Sequence, residues 1–353
     1  MKLSFRWFGP EDPVPLAYIA QIPAMHSVVT AVYDVPPGQL WPMARLEQLR
    51  AQCQAHGLVF DVVESLPVHE HIKLGSPDAS ALLETYCENI RRCAAVGVRC
   101  ITYNFMPVFD WLRTDLAKPQ PDGATALALD WQRLAAMDPT RTDLHLPGWD
   151  ESYAPAELRE LLAAYRRLGP QGLLENLARF CARVMPVAAQ CGVRMALHPD
   201  DPPASVFGLP RIAGSRAQLD RILDLSDSPA HCLCLCTGSL GAGLGNDVPA
   251  LVRRYAAAGR IAFLHIRNIG LLPGGDFEER AHPSACGSLD LYAIVRALTD
   301  CSFDGYVRPD HGRMIWGETG RPGYGLYDRA LGAAYLTGLF EACEKADRAA
   351  EQN

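Results

Sequence analysis

The run Tyr306-Val307-Arg308-Pro309-Asp310-His311-Gly312 carries an apolar, β-type stretch onto a carboxylate and an imidazole, and Gly312 then lets the chain turn away. Three earlier runs end in the same manner. Val193-Arg194-Met195-Ala196-Leu197-His198 precedes Pro199-Asp200-Asp201, His231 to Cys236 precedes Thr237-Gly238, and Ile261-Ala262-Phe263-Leu264-His265 precedes Ile266-Arg267. Each run delivers one possible metal ligand at its carboxyl end. The expectation is that His198, Cys236, His265 and Asp310 meet around one divalent cation, and that the protein is an enzyme.

Working outward, the same grammar repeats. Ser4 to Phe8, Ser27 to Ala31, Leu58 to Val63 and Val98 to Tyr103 read as strands, and Pro42 to His56 and Ala81 to Ala95 as helices that stop at Gly57 and Gly97. A strand, a helix and a strand make a parallel pair. Helices are expected at 216–225, 248–258, 289–298 and 332–346, which brings the count to eight strands alternating with helices. That number closes a TIM (β/α)8 barrel, here read as a single domain over 1–353.

One interval departs from the pattern. Between Tyr103 and Val193 the chain is far longer than a usual βα connection. A crossover helix from Leu173 to Gln190 accounts for part of it. The remainder, 110–169, reads as Pro-rich turns with a short helix at 155–168, and Trp111, Trp131, Trp149 and Tyr153 give it something to pack. We expect an ordered, lid-like insertion after strand four, lying over the barrel mouth.

Composition narrows the function. Hydrophobic residues make 49% and charged residues 21% of 353 residues, an ordinary globular balance with room for a large core. A formal charge of -7 argues against a nucleic-acid partner, because a phosphate-binding face needs excess Lys and Arg. No window approaches the ~18 apolar residues of a membrane span and the amino terminus has no apolar leader, so a cytoplasmic location and a small polar substrate are expected. The twelve cysteines sit within apolar runs such as Cys232-Leu233-Cys234-Leu235-Cys236, as reduced core thiols do.

Taken singly, a strand-end His is more often a hydrogen-bonded core residue, and Cys236 could be one more buried thiol. Recurrence at the equivalent point of four strands favours the metal. His311 follows Asp310 and is either a general base or a partner that orients a ligand. Arg308 and Arg267 are candidates to hold a carboxylate, with surface arginines as the plain alternative. The Tyr18 to Ala24 region and Trp7 could line the pocket or merely fill it, and Asn104, just past the fourth strand, is a further candidate to touch substrate. His69-Glu70-His71 lacks the HExxH spacing and reads as a polar loop able to reach substrate, and Gly238 to Gly245 lacks the order of a phosphate cradle.

At these residues the chain resembles the mannonate dehydratase family. The likeness runs through Phe5-Arg6-Trp7-Phe8-Gly9-Pro10, Val28 to Ala31, Val63-Glu64-Ser65, Tyr103 to Trp111, His198-Pro199-Asp200-Asp201-Pro202-Pro203, Gly208 to Ile212, Arg308 to Gly312 and Pro322-Gly323-Tyr324, which is nearly the full chain. The resemblance implies a xylose-isomerase-like barrel, usually a homodimer, that uses Mn²⁺ or Fe²⁺ to convert D-mannonate to 2-keto-3-deoxy-D-gluconate in hexuronate breakdown. It implies metal ligands at His198, Cys236, His265 and Asp310, and acid/base groups at His311 and Tyr324. From ligand chemistry alone the thiolate would favour Zn²⁺ or Fe²⁺ over Mn²⁺. A metal-dependent sugar isomerase, a repair nuclease on the same barrel and a non-catalytic sugar-acid binder are the competing readings.

Overall fold

Twelve strands are found among the described residues: β1 (Lys2–Arg6), β2 (Ser27–Thr30), β3 (Val59–Glu64), β4 (Cys100–Tyr103), β5 (Asp115–Pro119), β6 (Thr125–Leu129), β7 (Arg194–Leu197), β8 (His231–Cys236), β9 (Ile261–His265), β10 (Asn268–Leu271), β11 (Phe277–Arg280) and β12 (Tyr306–Arg308). The computed structural model describes residues 1–140 and 153–351. Eight of the strands close a ring in the order β1-β12-β9-β8-β7-β4-β3-β2, every pair parallel. The expected barrel strands are all present, with their ends shifted by one or two residues in several cases; β1, for example, starts and stops two residues before the Ser4 to Phe8 run.

Side-chain alternation sorts each strand. In β8 every residue is buried, but Leu233 and Leu235 pack outward in the shell beneath the helices, whereas Cys232 and Cys234 point into the barrel. They share that interior with Val29, Val62, Cys100, Ala196, Ala262, Phe263 and Tyr306. Because successive side chains alternate, a residue two places beyond one of these also faces the axis, now at the carboxyl rim.

Helices cover the outside. The element Pro155–Gln190 is kinked at Gly169, whose φ of 67° and ψ of 178° are not helical. The division expected between 155–168 and a second helix is therefore real, although the second segment begins directly after the kink. The last helix, Tyr327–Glu351, starts five residues before the expected Gly332. No helix among the described residues is long and apolar enough to cross a membrane.

The excursion after β4 corrects the expectation of turns and one helix. Its first part is a hairpin of β5 and β6, and a second hairpin, β10 and β11, follows β9. Together they form a four-stranded antiparallel sheet in the order β10-β11-β6-β5. The short helix Trp131–Ala135 ties the two hairpins: Trp131 donates from its backbone N to Asp276 Oδ1 at 2.8 Å and from Nε1 to Gly275 O at 3.0 Å. These strands carry charge, Pro and Gly, so their pairing depends on partners some 150 residues away in the chain rather than on local propensity. Trp149 lies outside the described residues.

Candidate metal centre and its cavity

Each expected ligand sits two residues beyond an inward-facing one: Ala196 before His198, Cys234 before Cys236, Phe263 before His265, and Arg308 before Asp310. The parity of four strands thus sends the four donor groups to the carboxyl rim, where they fall into two overlapping clusters. His198, Cys234 and His265 form one cluster, and Cys236, His265 and Asp310 another, with ligand atoms within 4.8 Å of one another in each and His265 common to both. The His198 and His265 ring centres are 5.0 Å apart. Asp310 Oδ2 lies 3.9 Å from Cys236 Sγ and 3.6 Å from His265 Nδ1.

The chemistry of this set suits a cation. His198 Nδ1 is 2.7 Å from Pro199 O and donates to it, which leaves Nε2 for Cys236. His265 Nε2 is taken by Glu64 Oε2 at 3.0 Å, with Cys234 Sγ at 3.2 Å, and its buried Nδ1 has no hydrogen-bond partner. A metal-bound histidine characteristically has its second nitrogen tied in this way. Burial raises a thiol, but the Arg267 guanidinium and the two imidazoles hold Cys236 well below its ordinary value, toward thiolate. Burial works against the His198 imidazolium, yet Cys236 and the nearby carboxylates raise it to about 9. Asp310 is buried, and Arg308, His311, His265 and Arg267 keep it ionised. Two imidazoles, a sulfur and a carboxylate oxygen could therefore hold a divalent metal.

A cavity of about 320 Å³ opens above this cluster. Arg308, Asn104, His311 and Tyr324 line it, as do residues not singled out from sequence: Arg6, Tyr33, Glu64, Asp110, Trp111, Asp201 and Arg321. Arg308 Nη2 binds Glu64 Oε1 at 2.9 Å and Asp310 Oδ1 at 2.5 Å, while its Nε and Nη1 are buried without a partner. Arg6 Nη1 reaches the same Glu64 oxygen at 2.9 Å. His311 Nε2 is 2.7 Å from Tyr324 Oη. Asn104 is committed at both ends of its amide, its Oδ1 accepting from Met106 N at 3.1 Å and its amide nitrogen donating to Asp110.

Two of the proposed substrate contacts are placed elsewhere. Arg267 is fully buried and spent on Glu279, Asp201, Ser239 and His311; Trp7 is buried in the core, and neither reaches the cavity wall. Arg267 follows an inward-facing His265, but the accessory sheet covers it with Glu279 of β11, which no local pattern announces. His69-Glu70-His71 is also different from a substrate loop. His69 caps the helix Glu70–Leu74, and Glu70 turns inward to Lys73 at 2.7 Å and to the hydroxyl of Tyr165. Lys73 also donates to Met106 O at 2.7 Å, and Val108 N to Glu70 at 3.3 Å, so the group anchors the loop that carries Asp110 and Trp111 from behind.

Of the cavity residues that sequence reasoning passed over, Glu64 was within its reach. It stands two places beyond the inward-facing Val62, so the same parity that marks the four ligands marks it too. Arg6, on β1, is recognisable only from the fold.

Barrel and donor set together define a class, the xylose-isomerase-like barrels with a metal-competent centre at the carboxyl rim. A xylose isomerase domain protein from Alicyclobacillus acidocaldarius aligns with a TM-score of 0.57 at 16% identity, covering 97% of this chain and 99% of the other. D-psicose 3-epimerase from Clostridium cellulolyticum H10 aligns at 0.52 and 15%, covering 99% and 98%; at such identities the likeness is one of fold. The D-mannonate dehydratase (UxuA) family model matches residues 1–350. Mannonate dehydratase of Streptococcus uberis is 51% identical over 346 residues, 98% of this chain and 99% of that one. Its counterpart in Streptococcus agalactiae serotype III is 50% identical over 348 residues, 99% and 100% of the two chains. The crystal structure of mannonate dehydratase from Streptococcus suis serotype 2 gives a TM-score of 0.92 at 44% identity, covering 98% and 96%. The chain belongs to the mannonate dehydratase family, a family of hydro-lyases.

Proposed function

We propose that this chain removes water from D-mannonate to give 2-keto-3-deoxy-D-gluconate, with Mn²⁺ or Fe²⁺ held by His198, Cys236, His265 and Asp310. What supports this reading is the grouping of Cys236, His265 and Asp310, with His198 hydrogen-bonded to Cys236, under a cavity walled by Arg308, His311 and Tyr324, in a chain of this family. When bound, the cation would supply Lewis-acid stabilisation of the negative charge that builds on the sugar acid as its C2 proton leaves.

The remaining work falls to the protein. Arg308 lines the cavity, and its guanidinium is suited to a carboxylate or a hydroxyl of the sugar acid. Glu64 keeps Arg6, Arg308 and His265 in register. His311 and Tyr324, already in hydrogen-bond contact, are the groups placed to move the C2 proton and to protonate the departing C3 hydroxyl. Asn104 and Trp111 wall the cavity and help to exclude water. The insertion at 110–169, of which residues 141–152 lie outside the described residues, serves as the lid together with the β10–β11 hairpin that completes its sheet. A cytoplasmic homodimer goes with this reading.

The test is a colour assay for the keto-deoxy product, using the full chain treated with chelator and then reloaded with Mn²⁺ or Fe²⁺. Product from D-mannonate that depends on added metal is expected. No product with either metal at saturation would refute the proposal, and a ketose formed from an aldose would point to the isomerase instead.

A further inference from the structure

The imidazole of His311 is held at both nitrogens. Arg267 Nη1 lies 3.0 Å from Nδ1, and Tyr324 Oη 2.7 Å from Nε2. A guanidinium carries only donors, so the first contact is a hydrogen bond only when Nδ1 presents its lone pair. The proton of the neutral ring must then sit on Nε2. The rival is Glu279 Oε1, 3.5 Å from Nδ1, since a carboxylate would draw a proton onto that nitrogen. That oxygen also accepts from Arg267 and, at 3.0 Å, from Arg113, so two guanidinium groups reach it before the imidazole does.

Arg267 has little freedom to turn away. Its Nη2 is bound to Asp201 Oδ2 at 2.5 Å and Ser239 Oγ at 3.1 Å, and its shaft rests on Gly238, where a Cβ would come within 2.2 Å of Nε. Glu279 and Arg113 belong to the accessory sheet and its approach, and Asp201 to the loop after β7. Three separate segments thus converge to aim one guanidinium at one ring nitrogen.

We propose that Arg267 is a positioning residue that keeps His311 as the Nε2–H tautomer, so that the imidazole gives the hydrogen bond to Tyr324 and does not receive it. The proposal rests on reading His311 and Tyr324 as the proton-moving pair. It makes Tyr324, a cavity-lining residue, the acid of the pair: its phenolic hydrogen goes to the departing C3 hydroxyl, the Nε2 hydrogen of His311 replaces it, and the C2 proton reaches Nε2 only as that nitrogen passes its own hydrogen to Tyr324. Arg267 acts through His311 and touches no substrate.

The experiment is a two-bond proton–nitrogen correlation spectrum of the full chain labelled with ¹⁵N-histidine and loaded with diamagnetic Zn²⁺, His311 being assigned by its loss in His311→Gln. The expected signature is an unprotonated Nδ1 and a protonated Nε2; a protonated Nδ1 would overturn the proposal. Arg267→Met should shift the proton toward Nδ1 and lower kcat about 100-fold with KM changed less than about threefold. An unchanged tautomer in that variant would remove Arg267 from the role. Should Arg267→Met fail to fold, Arg267→Lys serves, since it keeps the charge but gives up the fork that reaches Nδ1 while bound to Asp201: the Nε2–H form should be depleted, and its full persistence would remove Arg267 from the role. The tautomer is read without turnover, so a wild type that shows it but does not dehydrate D-mannonate would count against the functional reading alone.

Discussion

Glu64 Oε2 lies 3.0 Å from His265 Nε2, a contact that spans the barrel between β3 and β9, with three strands intervening either way round. It orients the ring so that Nδ1 faces Cys236 and Asp310, and its other oxygen gathers Arg6 and Arg308. Glu64→Gln keeps the shape and removes the charge. We expect metal affinity to fall about 10- to 100-fold, the usual cost of losing such a partner, as read by competition with a chelator. Unchanged affinity would mean that His265 is oriented by the barrel wall alone.

Two thiols stand at the centre, and both fall within a cluster that includes His265. Burial keeps Cys234 protonated, well above an ordinary thiol, whereas Cys236 is held low by Arg267 and the imidazoles against the same burial. Cys236→Ser should therefore strip bound metal and abolish the rise in Tm that saturating metal gives the wild type, while Cys234→Ala keeps both. A metal present at 100 times its Kd stabilises by about 2.7 kcal/mol, which a thermal scan resolves. The reverse pattern would move the ion toward the other cluster.

Lys73 and Glu70 form a buried pair behind the cavity wall, 2.7 Å apart. Lys73→Met leaves the Glu70 carboxylate without its cation and frees Met106 O. A loss of roughly 3–5 kcal/mol in urea unfolding is expected. KM for the sugar acid should rise more than kcat falls, because the loop carrying Asp110 and Trp111 loosens while the metal ligands stay in place. A variant as stable as the wild type would show that the pair contributes nothing net.

Asp201 sets an acid limb. Burial would raise its carboxyl, but Arg113 and Arg267 hold it far below its ordinary 3.8. A carboxyl lowered on folding lends stability that is complete above 3.8 and drains away as the pH falls below it. The wild type should lose urea stability between about pH 4 and pH 2 more steeply than Asp201→Asn, which is weaker at neutral pH but flatter in acid. Parallel curves would deny Asp201 this part.

Much of the molecule was legible one strand at a time. The apolar runs, their Gly stops and their single polar endings are local, because alternation along a strand decides which side chain reaches the axis, and four candidate ligands in one parity already imply a common rim. Applied to Val62 and Glu64, the same rule would have found the carboxylate that holds His265.

The chain by itself determined the barrel and which residues end its strands. Only the tertiary structure decided what surrounds them: that Arg267 is consumed by Glu279 and Asp201 instead of opening on the cavity, that Arg6 joins the Glu64 hub, and that two remote hairpins make one sheet. Local patterning encodes direction and burial over a few residues, whereas pairing between charges and between edge strands depends on which distant segments the closed ring brings together.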